Sequence, residues 1–503
     1  VEYAIGMEAL RLVCVYLYVR RAKPQSTFVS SAVQTLKKYA PHLLIPLVFL
    51  FWYQFLFDNW RKAQDAGTQL SVLFSSPTAL IWKFVELARS WLNVTLFAWI
   101  VPFYQNFYGN RLRDIVTGLV FAAFILGLIY LANKYLRTNP HASDEESEAP
   151  ASTWHKELLW VGLLGTLGGV LPVVLANRVV TFERISQYTL PASLTGVIFL
   201  GGLVYSVFPQ KVRMILLSGL IGLAVLSHHG LAAQAVNEER TISEFWQQVI
   251  WRAPDIRSGT TLVVTYPGID YLEGNDVVWG PANFIYYPDE QNSMPVVIPL
   301  PASRLEQDSI LQIINGNRSF EQTDLVIKFV QTVTHYKNQL IITQPSQNSC
   351  VHALDPRWPD LSVYDQPFIH AAYQNSKIEN IVADAEFHTL PVYAFGPELP
   401  REWCYYYQKA SLARQKQDWE EILILEKMTQ DMNFRPGDPV EWLPFLEANA
   451  MTGNAARVED LSNVIKENRF TWRTTCKYYT HDLRSLGKEN PEGYNLLLTS
   501  LYE

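Results

Sequence analysis

Residues 214–266 read MILLSGLIGLAVLSHHGLAAQAVNEERTISEFWQQVIWRAPDIRSGTTLVVTY, and the chain changes solvent within that stretch. Met214 to Ala235 is apolar and long enough for a bilayer crossing, since about 20 residues rising 1.5 Å each span roughly 30 Å of hydrocarbon. From Asn237 charged and apolar residues alternate with helical spacing; Ser258 and Gly259 then mark a turn, and Thr260 to Tyr266 reads as a β-branched strand. The boundary between membrane and water therefore falls near residue 236, and the remaining sequence sorts around it.

Composition agrees with a chain of two characters. It has 503 residues, 49% hydrophobic, 13% aromatic and only 18% charged, where a soluble protein carries about a quarter charged. The formal net charge of −7 gives no basic face of the kind nucleic acids require, so nucleic acid is set aside as a partner. The opening run VEYAIGMEALRLVCVYLYVRR lacks a basic leader and cleavage site, and the expectation is that a further piece of the protein lies upstream.

Five stretches approach the length of a crossing helix: His42–Phe57, Ile115–Leu131, Leu158–Ala176, Leu190–Phe208 and Met214–Ala235. The opening run to Val19 is a sixth candidate, the end of a truncated span, in which Glu8 and Arg11 at i and i+3 are placed to pair. Thr78 to Phe107 carries Lys83, Glu86 and Arg89 and then aromatic residues suited to headgroups, so it is expected to lie in or dip into the interface. On that reading ten Lys and Arg fall in loops on one side and eight on the other. The richer side is cytoplasmic by the positive-inside rule, which places the region after Val236 outside. Were Thr78–Phe107 to cross, the counts would be nine and nine. The linker NPHASDEESEAPAST is acidic and reads as disordered.

The predicted architecture is a polytopic α-helical membrane domain (1–236), a soluble α/β domain (237–400) and a helical-repeat-like region (401–503). Beyond Thr260–Tyr266, strands are predicted at Val277–Trp279, Phe284–Tyr287, Val296–Ile298, Asp324–Phe329 and Gln339–Thr343. None leads into a glycine-rich phosphate loop or a nucleophile elbow. From Glu402 helices follow with small residues at Ala410, Ala413, Ala448, Ala450 and Gly453, and Trp403 and Trp442 open two units 39 residues apart. These helices resemble tetratricopeptide pairs, which stack and often offer a groove to a partner. That resemblance makes Trp403, Trp419 and Trp442 the partner-binding candidates; packing on the α/β domain is the other reading.

Candidate chemistry is sparse. Cys350 and Cys404 flank the junction of the two soluble regions and are the pair expected to form a disulfide outside the cell, the alternative being free buried thiols. No cysteine spacing suggests zinc, and no metal site is expected. His228 and His229 close the last span as LSHHG and read as polar caps. Asp58, Asp65 and Asp114 lack a partner at a diagnostic spacing. Glu183, Arg184 and Tyr188 precede Pro191 at the mouth of a span, where an Arg fork suits a lipid phosphate and the proline suits a first helical turn; an interfacial belt is the equal alternative.

Arg184, Tyr188 and Pro191 resemble the Arg-Tyr…Pro segment of C-type glycosyltransferases of the protein mannosyltransferase and aminoarabinose transferase kind, although three residues here separate Arg from Tyr. The EYxIGxE opening at Glu2–Glu8 and the Trp403–Ala410 helix resemble a group of bacterial polytopic membrane proteins. The first resemblance implies a polyprenyl-phosphate sugar donor, an extracytoplasmic acceptor and an acidic residue in a loop before Val1; a divalent metal is implied by that resemblance alone, since no cofactor motif is present. Two readings follow: a plasma-membrane glycosyltransferase with an extracytoplasmic C-terminal region, or a non-catalytic membrane scaffold that binds a protein partner through its C-terminal helical pairs.

Overall fold

The structure, a computed structural model, describes residues 2–56, 77–138, 154–176, 178, 180, 182, 188–268, 274–288, 296–305, 307–315, 330–331, 334–481 and 490–502. The chain divides into two compact units, Val1–Val236 and Asn237–Glu503.

The first unit is helical. Its helices are α1 (Glu8–Ala22), α2 (Phe28–Tyr39), α3 (Leu44–Phe51), α4 (Pro77–Gly109), α5 (Leu112–Thr138), α6 (Trp154–Leu175), α7 (Leu190–Val207) and α8 (Gln210–Arg252), the last of which ends in the second unit. Helices α4 to α8 are long and apolar enough to cross a membrane. Large apolar side chains such as Val120, Phe124 and Leu194 face outward, as lipid-facing surfaces require. Glu8 and Arg11 pair at 3.0 Å, and Tyr39 donates to Glu8 at 2.7 Å.

Two expectations about spans change. Thr78–Phe107 belongs to one continuous 33-residue helix, long enough to cross where the sequence suggested an interfacial segment. Lys83 and Glu86 neutralise one another at 2.6 Å along it, and a π turn at Asn93–Phe97 lets the helix continue into the segment that holds Pro102. His42–Phe57, expected as a span, starts as a 3₁₀ turn over Ala40–Leu43, continues as the short α3 and passes into a π turn ending at Leu56. Pro41 and Pro46 remove amides there and interrupt a regular ladder. Were α4 and His42–Phe57 both to cross, the positive residues would divide nine to nine and select no side.

Helices α6 and α7 meet through small residues. Gly162, Gly165 and Gly169 share one face of α6: a Cβ on Gly162 would run into the Phe199 backbone, one on Gly165 would lie 2.6 Å from Thr195, and one on Gly169 would lie 2.9 Å from Ala192. Such proximity lets backbones touch, which is how helices gain dispersion energy in a solvent as apolar as themselves. The Thr166 and Thr195 hydroxyls sit 3.1 Å apart between the helices, each also donating to a carbonyl of its own helix.

The second unit is built on a mixed sheet. Its strands are β1 (Thr261–Thr265), β2 (Val296–Val297), β3 (Ala302–Arg304), β4 (Val330–Gln331), β5 (Gln339–Thr343) and β6 (His352–Leu354). The main sheet runs β3-β1-β5-β6, with β1 parallel to β3 and β5 and β6 antiparallel at the edge; β2 and β4 pair separately. Alternation gives the sheet two buried faces. Leu262, Val264, Leu340 and Ile342 pack with Phe245, Trp246 and Val249 of α8 and with α9 (Asp276–Tyr286). Val263 and Ile341 point the other way, into a core with α10 (Gln307–Ile314) and α11 (Pro367–Ala372).

The strands predicted at Val277–Trp279 and Phe284–Tyr287 are both part of helix α9. Their β-branched and aromatic residues suggested sheet, but the buried positions Val278, Ala282, Ile285 and Tyr286 recur with the period of one helical face. The strand expected at Asp324–Phe329 lies outside the described residues.

The remainder is a short α12 (Val392–Phe395) and then α13 (Trp403–Lys416), α14 (Trp419–Asp431), α15 (Leu443–Met451), α16 (Ala455–Glu467), α17 (Arg469–His481) and α18 (Pro491–Tyr502). Two hairpins use one device. Gln417 and Gly453 adopt left-handed φ of 59° and 78°, and the next residue, Asp418 or Asn454, caps the following helix by accepting from the amide three positions on.

Candidate functional site

Asn468 accepts from the amides of Phe470 and Thr471 and so starts α17. Thr471, Thr475, Cys476 and Tyr479 of that helix are buried, and the Trp472 indole donates to Leu501 O at 2.9 Å, joining α17 to α18. This anchoring fixes the opposite face, where Arg469, Arg473 and Lys477 recur every fourth residue and are exposed. Among the described residues none of the three has an acidic partner within ion-pair reach.

A facing wall comes from residues 356–374. Asp355 holds the turn in place by accepting from Arg357 and from the amide of Ile378, leaving Trp358 between Pro356 and Pro359. The Arg414 guanidinium lies 4.6 Å from the Trp358 ring. Arg414 is itself fully buried, bonded to Asp360 at 2.7 Å and forked onto Glu447, which also accepts from Tyr479. Burial works against its charge, but Asp360 and Glu447 outweigh it and hold the group well above its ordinary range. Between the walls lies a groove of about 750 Å³, lined on one side by Arg469, Arg473, Lys477 and Tyr478 and on the other by Trp358, Pro359, Leu361 and Tyr373. The walls approach where the His370 ring stands 5.4 Å from Phe470.

The charge around this groove sharpens its meaning. Between Asn237 and Glu503 there are 36 acidic and 22 basic side chains, a formal −14, yet among the described residues no acidic one lines the groove. It is a cationic island on an anionic unit.

A second polar constellation is sealed. His352 Nε2 and Glu441 Oε1 are 3.5 Å apart with both side chains 0% exposed. Glu441 also accepts from the Cys350 amide at 2.7 Å and from the Trp403 indole at 2.6 Å. Burial alone would lower the imidazole, but Glu441, with Asp438 and Asp365 behind it, raises it to about 9. Glu441 is pushed up by burial, against the pull of His352. The arrangement holds charge in the interior and offers no surface to a substrate.

The residues singled out in the sequence fall as follows. Cys350 and Cys404 are joined, with Cα atoms 5.2 Å apart. Trp403 is 5% exposed, its ring 4.7 Å from Trp442 and 5.5 Å from Phe445, and Trp419 packs against the same core. The three tryptophans thus hold this core together, and Trp403 is closed to a partner. Tyr188 packs beside Val174, Val180 and Ala192, with the Arg178 guanidinium 5.9 Å over its ring; Glu183 and Arg184 lie outside the described residues. His228 and His229 cap nothing, because α8 continues through them to Arg252, and His229 faces Phe121 at 5.4 Å. Among the described residues no three His, Cys, Asp or Glu side chains gather as metal ligands.

Sequence reading missed the groove. The four-residue recurrence of Arg469, Arg473 and Lys477 was the available signal, but its other wall comes from about a hundred residues earlier. Comparison with family models, curated proteins and solved structures finds no match.

Proposed function

We propose that the chain is a membrane-anchored, non-catalytic binding protein whose second unit is a soluble module, an α/β layer carrying helical hairpins, that holds an anionic partner in the α17 groove. The observation that carries this reading is the row Arg469, Arg473 and Lys477, unpaired among the described residues on a unit of formal charge −14. Three cations left without counter-ions repel one another, and an anion that enters relieves that repulsion. The buried pair of His352 and Glu441, a second concentration of titratable groups, is closed to solvent. No geometry among the described residues favours the glycosyltransferase reading over this one.

The module is proposed to lie outside the cytoplasm. The Cys350–Cys404 bond supports that side, since disulfides persist in oxidising compartments. Labelling of a Gln374→Cys variant, with Cys14 and Cys476 replaced, by a membrane-impermeant thiol reagent in intact cells is expected; labelling only after lysis would reverse the placement.

Binding is tested with the full chain in detergent micelles and inositol hexakisphosphate as the probe. The chain should bind it, and the triple variant Arg469→Glu/Arg473→Glu/Lys477→Glu should bind at least about 100-fold more weakly. Equal binding by both proteins would overturn the assignment of the groove.

A further inference from the structure

We propose that the groove takes an extended peptide segment of a partner protein, with acidic side chains at alternate positions and apolar or aromatic residues between them. The proposal rests on the groove being the binding surface named above and adds the class of partner.

Two features support it. The first is spacing. Residues four apart on a helix rise about 6 Å, so Arg469, Arg473 and Lys477 form a row about 12 Å long. Alternate side chains of an extended chain are about 6.6 Å apart, which puts three acidic residues opposite three cations. The second is the unlike character of the walls. A strand sends successive side chains to opposite sides; here one side meets cations and the other meets Trp358, Pro359, Leu361 and Tyr373.

The surrounding charge argues against a nucleic acid. A single strand carries a phosphate at every nucleotide and would run past the groove onto a unit of formal charge −14. A peptide confines its acidic residues to the length of the row.

The test is fluorescence anisotropy with the full chain in micelles and two fluorescein-labelled peptides of one composition, Glu-Phe-Asp-Phe-Glu and Phe-Phe-Glu-Asp-Glu. The alternating peptide should bind at least about 10-fold more tightly. Arg473→Glu should weaken it by a further factor of about 10 or more, and a peptide with Lys at its central position should recover most of that loss. Tyr373→Ala, on the opposite wall, should weaken the alternating peptide about 3- to 30-fold. Equal binding of the two peptides, or indifference to Arg473→Glu in a variant with unaltered circular dichroism, overturns the proposal. So does preferential displacement by oligothymidylate or a heparin fragment at equal charge, which would make the occupant a nucleic acid or an acidic glycan. If inositol hexakisphosphate binds through Arg473 and neither peptide does, the anion-binding reading stands and the peptide falls; if nothing binds, both fall.

Discussion

The two units solve the problem of cohesion in opposite ways. In the first, α6 and α7 touch through Gly162, Gly165 and Gly169, with threonine hydroxyls between them. In the second, the interior holds ions and a covalent bond: Arg414 between Asp360 and Glu447, His352 against Glu441, and Cys350 joined to Cys404. Their charges differ too. The first unit has 19 basic and 12 acidic residues, a formal +7, against −14 in the second. The difference is of the kind that two solvents impose. Lipid gives no hydrophobic gain when helices associate, so close approach is the main source of energy there. Water drives apolar burial strongly enough for a fold to carry a few buried ion pairs whose desolvation is costly.

The comparison breaks most readily at Arg414. Arg414→Met leaves two buried carboxylates, Asp360 and Glu447, without the cation that pairs them and should cost about 3–5 kcal/mol in denaturant unfolding. Adding Asp360→Leu and Glu447→Leu should recover most of that loss, and failure to recover would mean the ions were not the cause. Next comes the disulfide, which closes a separation of 54 residues. Cys350→Ser with Cys404→Ser should cost about 2–4 kcal/mol, and reductant should lower the thermal midpoint of the second unit's transition while sparing the first.

A third effect depends on pH. His352 is held at about 9 in the fold against about 6.5 in an unfolded chain, so its contribution is fully present below pH 6.5 and is lost as pH rises through 9. Glu441 is raised as well and works in the same direction. Stability of the second unit should fall by on the order of 1–3 kcal/mol between pH 6.5 and 9, a trend that His352→Gln should flatten. A rise over that window would refute the assignment.

The smallest effects concern volume in the first unit. Gly162→Ala pushes a methyl into the Phe199 backbone and should cost about 1–3 kcal/mol. Gly201→Ala meets nothing within 4 Å and should be neutral or stabilising by up to about 1 kcal/mol, because alanine favours helix. The two substitutions on neighbouring helices should therefore differ in sign. If both were neutral, close approach would not be what holds α6 to α7.

Much of this was written locally in the chain. The apolar runs Leu158–Ala176 and Leu190–Phe208 correspond closely to α6 and α7, and Gln339–Thr343 is strand β5 residue for residue. Local patterns misled where two periods coexist: Val277, Val278 and Trp279 favour sheet by type, while their burial follows a helix. Lys83, Glu86 and Arg89 argued against a crossing because the sequence alone does not show that Lys83 and Glu86 are paired. The groove was beyond local reading, since Arg473 and Trp358 face one another across more than a hundred residues of chain. The sealed pair of His352 and Glu441 was hidden for the same reason.

The strand order has a consequence for biosynthesis. Strand β1 is central, and its neighbour β5 begins at Gln339, paired with Thr261, so β1 leaves the ribosome about 78 residues before that neighbour exists. At about 5–20 residues per second this is a wait of roughly 4–16 s for an apolar segment whose edge toward β5 stays open. The chain supplies its own cover, because Phe245 and Trp246, made just before β1, are the residues that meet Tyr266 in the finished core, at 4.7 Å and through a 2.9 Å hydrogen bond. The end of α8 is thus made early enough to cover the strand, and substitutions at Phe245 or Trp246 are expected to reduce the yield of folded protein before they alter anything the folded protein does.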